Sequence, residues 1–285
     1  MMGELEEFRT MVKTALAEDL GLGDATSEST IPADATAVAH MLAREELVVA
    51  GLDLARFAFA ECDEALKFSG TVRDSDRLKR GERILTIQGN ARAILEAERV
   101  ALNFVQHLSG IATLTRRYVD AIAGTKAKIL DTRKTLPGWR KLEKYAVHRG
   151  GGQNHRFGLY DMILIKDNHL AVLRQTSENP IGVAVLSARA KYPDLKIEVE
   201  ADDLDEVRQA AEAGADIILL DNMNPEALRA GVAIIAGRAK SEASGGINLQ
   251  TVRAVAETGV DYISVGAITH SAGAVDIALD LEIHA

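Results

Sequence analysis

The sequence predicts a parallel α/β fold preceded by a mixed α+β region, and three observations carry that prediction. First, the C-terminal half repeats itself. "LDEVRQAAEAGADIILLDN" from Leu204 lies over "LQTVRAVAETGVDYISVGA" from Leu249, an offset of 45 residues, with Val207 on Val252, Ala211 on Ala256, Gly214 on Gly259 and Asp216 on Asp261. Each copy reads as an amphipathic helix, a glycine turn and a short apolar strand, the αβ half of a βαβ unit. Second, apolar residues make up 47% of the 285 positions and aromatics only 4%, the aliphatic core that parallel α/β proteins build. Third, charges and glycines recur where the strands end, the edge at which such sheets bind ligands. The length exceeds one average domain, although an α/β barrel often uses as much in a single unit.

The elements follow in order. "EEFRTMVKTALAEDL" has apolar residues at helical spacing, and "GLGDATSEST" breaks it. "TAVAHMLAREELVVAG" and "KFSGTVRDSDRLKRGERILTIQG" alternate like strands joined by turns. "ARAILEAERVALNFVQHLSGIATLTRRYVDAIAG" is a long helix with Gly110 as a candidate break. Residues 1 to about 112 therefore form an α+β domain that ends in a helical connector. After the Pro137-Gly138 turn, "GWRKLEKYAV" reads as a helix whose Arg140, Lys141, Lys144 and His148 form a solvated face. "YDMILIKDN" matches the tail of the repeat, so Asp161, Asp216 and Asp261 begin three equivalent strands and Lys166, Asp221 and Gly266 end them.

Bulk properties exclude several classes. "MMGELEEF" lacks the order of a signal peptide, and no apolar run approaches the roughly 20 residues of a membrane span. A single cysteine, Cys62, rules out an intramolecular disulfide and any multi-cysteine metal site, and in "AECDEAL" it reads as a packed helix residue. The expectation is a cytoplasmic protein. A formal charge of −9 argues against a broad phosphate-backbone binder. Against that background, residues 131 to 169 hold eight Lys/Arg, three His and four acids, which suits a small, highly charged anion in a pocket.

Strand-end positions gather the chemistry. They are Thr132, Arg133 and Lys134 after "KIL", Lys166, Glu200 after "KIEV", Asp221, the Ser244-Gly245-Gly246 turn, and Gly266. One such position is ordinary polar punctuation, whereas six with this division of charge point to a shared rim. "ASGGINLQTVRAV" and "SVGAITHS" have the form of glycine turns before helices, whose N–H groups bind phosphate with help from the helix dipole. Glu200 and Asp221 at neighbouring strand ends suit ribose hydroxyls or Mg²⁺; their plainer reading is helix capping or an ion pair with Lys166. Arg133, Lys134, His155, Arg156 and Lys166 exceed the charge that one phosphate needs, so the ligand carries several negative charges. The Gly150–Gly152 run reads as a flexible turn that delivers His155 and Arg156 to the rim, and His169 is placed to cap the helix after Lys166.

These segments carry a resemblance. "DTRKTLPGWRKLEKYAV", "GGGQNHRFGLYDMILIKDNH", "EVE", "ILLDN", "SGGIN" and "GVDYISVGAITHS", with "AEDLGLGDATS" and "EAERVALNFVQHLSGIAT" earlier, resemble the quinolinate phosphoribosyltransferase family over nearly the whole chain. Leu136 and Trp139, where Thr and a smaller apolar residue are expected, depart from the pattern beside the Pro-Gly turn. The resemblance implies an N-terminal α/β sandwich domain over residues 1–112, completed by residues 272–285, and an incomplete, seven-stranded α/β barrel over 113–271. It implies Mg²⁺ near Glu200 and Asp221, held mainly through substrate, and a homodimer in which Arg99 reaches the neighbour's site, with larger assemblies left open. Quinolinate contacts then fall on Arg99, Thr132, Arg133, His155, Arg156 and Lys166. Phosphoribosyl contacts fall on Lys134, Glu200, Asp221, Ser244, Gly245, Gly246, Val265, Gly266 and Ala267, with His270 a further phosphate neighbour. Lys134, Lys166, Glu200 and Asp221 are the catalytic set.

The activity so implied is transfer of phosphoribosyl from phosphoribosyl pyrophosphate to quinolinate with loss of CO₂. Two other enzymes fit the same residues: a molybdenum-transport-associated relative acting on another heteroaromatic acid, and a nicotinate-specific transferase. A non-catalytic sugar-phosphate sensor is the alternative of a different class, and the carboxylate pair with Lys134 and Lys166 speaks against it.

Overall fold

A computed structural model describes residues 2 to 283. In chain order its elements are α1 (Met2–Leu20), α2 (Ala25–Thr30), β1 (Thr36–Ala43), β2 (Leu47–Val48), α3 (Leu52–Cys62), β3 (Lys67–Ser69), β4 (Arg77–Leu78), β5 (Arg83–Asn90) and α4 (Ala91–Ala121). There follow β6 (Lys128–Leu130), α5 (Arg140–Arg149), β7 (Ile163–Ile165), α6 (Asp167–Leu173), α7 (Pro180–Lys191), β8 (Ile197–Ala201), α8 (Leu204–Ala213), β9 (Ile217–Asp221) and α9 (Pro225–Ile235). The last are β10 (Lys240–Ser244), α10 (Val252–Ala256), β11 (Tyr262–Ser264), α11 (Ala267–His270) and β12 (Ile277–Ile283). They form two compact units: residues 1–114, 141–151 and 272–285, and residues 115–140 and 152–271.

The first unit is built on an antiparallel sheet in the order β12-β1-β5-β3. Alternation in β1 buries Ala37, Ala39, Met41 and Ala43 on one face, as period-2 patterning requires of a sheet covered on one side. β12 pairs along the whole free edge of β1, from Ala37 opposite Ile283 to Ala43 opposite Ile277. Residues 284 and 285 of the expected C-terminal completion lie outside the described residues.

Two expectations need correction here. Gly110 does not break the long helix, because α4 continues through it to Ala121. The glycine is needed for close packing, since a Cβ there would collide with the Gly273 carbonyl. "GLGDATSEST" ends α1 as expected, and within it Asp24 accepts from the Thr26 and Ser27 N–H groups and starts the short α2, as an N-cap should. Most consequentially, α5 is no solvated face and belongs to the first unit. Leu142, Glu143, Lys144, Ala146 and Val147 are buried, Lys141 pairs with Glu7, and the Tyr145 ring meets Phe8 edge-on. The Tyr145 hydroxyl donates to Asp74 at 2.5 Å and Glu143 faces His107 at 3.3 Å. Of the four expected solvated side chains only His148 is fully exposed. Basic residues dominated the sequence reading, whereas the buried apolar face decides where the helix packs.

The second unit holds a parallel sheet in the order β6-β11-β10-β9-β8-β7. Gln153 adds a single parallel bridge to Leu130 on the outer edge of β6, so the seventh place of the expected barrel is filled by one residue instead of a strand. The central strands are short and buried throughout (Ile217–Leu220 in β9, Glu242 and Ala243 in β10), as strands covered on both faces must be. The helices carry ordinary punctuation. Asp203 caps α8 and Gly214 ends it at φ +81°, while Asn224 caps α9 with Pro225 in its first turn. α8 with β9 and α10 with β11 occupy equivalent places in the 45-residue repeat.

Candidate functional site

All predicted strand-end residues of the second unit fall at the C-terminal edge of its parallel sheet. Following the sheet from Gln153, the rim reads His155 and Arg156, then Thr132 to Lys134 after β6, then Val265 to Ala267 after β11. Next come Ser244 to Gly246 at β10, Asp221 at β9, Glu200 in β8 and Lys166 after β7. The two glycine turns are therefore neighbours, the two carboxylates are neighbours, and cations stand on both sides of them.

Lys134, Gly266 and His270 converge. Thr269 Oγ1 donates to the Lys134 carbonyl at 2.7 Å, and the Lys134 N–H donates to Thr132 Oγ1 at 3.0 Å. A Cβ on Gly266 would lie 3.1 Å from both Lys134 Cδ and His270 Nε2, so a side chain there would crowd both. Val265 contributes differently: it is buried, and its N–H donates to the Leu130 carbonyl, whereas Gly266 and Ala267 are half-buried.

Gly245 has φ +92° and Gly246 φ +60°, a region open to glycine at little cost. A Cβ on Gly245 would also collide with the Asn222 side chain. Asn222 is the residue that the sequence reading missed. Itself at φ +52°, it donates from its backbone to the Ser244 carbonyl at 2.9 Å and from Nδ2 to Asp221 Oδ2 at 2.6 Å. It thus ties the Asp221 carboxylate to the glycine turn, and its only signal was an Asn directly after a strand-end acid. The expectation that this glycine turn opens a helix is corrected. Residues 247 to 251 intervene in a turn closed by Asn248, and α10 is only five residues long. Any anion bound at this turn would meet its backbone N–H groups with little help from a macrodipole.

Lys166 Nζ and Glu200 Oε2 form an ion pair at 2.7 Å, the plainer arrangement envisaged for that carboxylate. Burial raises the Asp221 carboxyl above its ordinary range, with Glu200 and Asp202 adding to the effect, while Asn222 and Lys166 oppose it. Two carboxylates that disfavour each other's charge fit an oxygen-ligated cation such as Mg²⁺, which would relieve that repulsion. His169 Nδ1 accepts the Lys166 N–H at 2.9 Å and so caps α6 as expected.

Cations on the other side are crowded. Burial lowers the Arg156 pKa and Arg133 lowers it further, while Glu198 and Asp161 oppose both. Arg133 Nε is buried without a hydrogen-bond partner. Such a pair of guanidiniums is stabilised by an anion of more than one charge. Arg156 Nη1 is held by the Met162 carbonyl at 3.1 Å. The loop that presents it is pinned, not flexible, because Gln153 N–H donates to Ile129 O and Asp131 N–H to Gln153 O. Of the three glycines only Gly151 has positive φ, where it ends α5.

His155 stands apart from its predicted place. Its N–H donates to Asp131 Oδ1 at 2.8 Å, and its Nδ1 accepts the Arg156 N–H at 2.7 Å. Its Nε2 faces inward, 3.0 Å from Glu198 Oε2 and 3.7 Å from Glu242 Oε1, with only 8% of the side chain exposed. Burial pushes Glu198 up to about 7, against the pull of Arg156 and Lys166. Burial and Glu198 push Glu242 up to about 8. Sequence reasoning left this acid pair unremarked, since alternate residues of a strand carry no outward sign that a glutamate points into a barrel. Arg99 is exposed on α4 within the first unit. Cys62 ends α3, and burial raises its thiol to about 11, as expected of a packed, inert cysteine.

Comparison with known proteins decides the family. Residues 24–109 match the family model "Quinolinate phosphoribosyl transferase, N-terminal domain", and residues 111–280 match "Quinolinate phosphoribosyl transferase, C-terminal domain". The chain belongs to the quinolinate phosphoribosyl transferase family. Among its relatives, the nicotinate-nucleotide pyrophosphorylase [carboxylating] of Mycobacterium leprae is 44% identical over 287 residues, covering 98% of each chain. The probable enzyme of that name from Bacillus subtilis is 43% identical, covering 96% of this chain and 93% of its own. The NadC structure from Streptococcus pyogenes superposes with a TM-score of 0.92 at 40% identity, over 97% of this chain and 96% of that one. Human nicotinic acid phosphoribosyltransferase, at 13% identity and a TM-score of 0.62, shares the fold alone. Among the described residues no helix is long and apolar enough to cross a membrane.

Proposed function

We propose that this chain transfers phosphoribosyl from phosphoribosyl pyrophosphate to quinolinate, giving nicotinate mononucleotide, pyrophosphate and CO₂. The observation that carries the reading is the order of groups along one rim: paired glycine turns, an adjacent carboxylate pair, and cations on both sides. Family membership over both domains supports it.

In this reading Gly245, Gly246, Gly266 and Ala267 hold the 5′-phosphate through backbone N–H groups, with Lys134 and His270 beside them. Displacement at the anomeric carbon builds positive charge on the ribose, which Glu200 and Asp221 stabilise and orient. Lys134 stabilises the departing pyrophosphate. Mg²⁺, when bound near Glu200 and Asp221 and through the substrate itself, supplies further charge neutralisation to that leaving group. Arg133, Arg156 and Lys166, with Thr132 and an Arg99 lent by a second copy in a homodimer, grip the two pyridine carboxylates. The ring nitrogen then points at the anomeric carbon. Once the nitrogen is ribosylated, the pyridinium stabilises the electron pair left on the adjacent ring carbon as CO₂ departs, and that carbon then takes up a proton from solvent. No covalent enzyme intermediate is required.

The test is substrate choice. Purified protein supplied with phosphoribosyl pyrophosphate and Mg²⁺ should turn over quinolinate and leave nicotinate untouched. Turnover of nicotinate at a comparable rate would assign the cradle to a monocarboxylate.

A further inference from the structure

The rim explains the exposed charges but leaves unexplained why two glutamates sit inside the barrel beneath it. Glu198 and Glu242 come from β8 and β10, which flank β9. Both are fully buried; the two carboxyls hydrogen-bond to each other, and Ser264 hydrogen-bonds to Glu242. A buried carboxyl is costly unless a neighbouring group balances it. The polar group that reaches both is His155, through Nε2. Because Nδ1 of that ring accepts the Arg156 N–H, the ring proton belongs on Nε2, the nitrogen turned toward the glutamates. Both ring nitrogens are then committed inside the protein. His155 Nδ1 also holds the backbone of the neighbouring Arg156.

Resting on the proposed function, we infer that Glu198 and Glu242 are a positioning pair. They lock His155 as its Nε2–H tautomer, and the locked ring seats Arg156, one of the cations that grips the dicarboxylate. Members of such a buried arrangement act as a unit that holds another group in place.

Two measurements test this. In the protein without substrate, ¹⁵N shifts of the His155 ring should show an unprotonated Nδ1 and a protonated Nε2. A proton on Nδ1, or on both nitrogens, would overturn the inference. This reading of the ring stands whether or not the protein turns over quinolinate, so it separates failure of the pair from failure of the proposed activity. In kinetics, Glu198→Leu should raise KM for quinolinate about tenfold or more with little change in KM for phosphoribosyl pyrophosphate. Glu198→Gln, whose amide oxygen can still accept from Nε2–H, should restore most of that loss. An unchanged quinolinate KM in Glu198→Leu would contradict the assignment, as would equal loss toward both substrates that Gln does not rescue. Stoichiometric divalent metal in the purified wild type that disappears in Glu242→Gln would make the trio a metal centre and overturn the positioning role.

Discussion

The two ends of the same parallel strands are built from the same residue types and treat them in opposite ways. Where the strands begin, Asp216 accepts from the Ile197 N–H and from Arg189 Nη2, each at 2.7 Å. Its repeat partner Asp261 accepts from Ser241 N–H and Oγ at 3.0 Å and from Lys240 and Lys126 near 3.1 and 3.2 Å. Burial alone would raise the Asp261 carboxyl, but these donors bring it down to about 2. Where the strands end, burial and like charge push the Asp221 carboxyl up, and two arginines crowd each other, with the raised carboxyls of Glu198 and Glu242 inside the strands beneath. One end satisfies its charges internally and serves stability. The other leaves them in mutual conflict that a bound anion and cation would resolve, as sites poised for a ligand tend to do.

Substitutions at the two ends should therefore separate cleanly. The largest effect is expected at the rim: Lys134→Ala and Arg156→Ala should each lower kcat/KM by a factor on the order of 10² or more. Circular dichroism should show the fold intact, and kinetics near wild type for both would break the comparison. Gly245→Ala, strained at φ +92° and pressed against Asn222, should raise KM for phosphoribosyl pyrophosphate about tenfold and leave quinolinate affinity closer to wild type. At the opposite end, Asp261→Asn should cost about 1 kcal/mol of stability after allowance for solvent screening, with kcat unchanged. Because the folded carboxyl lies below its unfolded value of 3.8, that contribution is complete above pH ~4 and lost as pH falls toward ~2. Glu242 carries the reverse sign. Its folded pKa of about 8 lies above the ordinary 4.5, so the unfolded chain releases the proton first. Stability then declines as pH rises from ~4.5 to ~8. Thermal melts across that range should flatten in Glu242→Gln.

The sequence made the rim legible because strand ends recur with a period, and a repeat converts composition into position. Asp216 and Asp261 were recognised as equivalent for the same reason, although not as the caps of the preceding strands that they prove to be. What stayed hidden depends on contacts between distant segments. Charge pattern favoured a wet face for "GWRKLEKYAV", while Phe8, Asp74 and His107, each more than 30 residues away, supply its partners. Gly110 looked like a helix break because its reason, the approach of Gly273, lies at the other end of the chain. His155 was counted among exposed cations because no local feature tells whether an imidazole faces a rim or a barrel interior.

The most direct test of the rim as the seat of chemistry is to measure CO₂ and pyrophosphate together from one reaction mixture. With quinolinate, phosphoribosyl pyrophosphate and Mg²⁺, the two should appear in equal amounts, and neither should appear when either organic substrate is omitted. Pyrophosphate released without CO₂, or no release of either by the folded wild-type protein, would contradict the account.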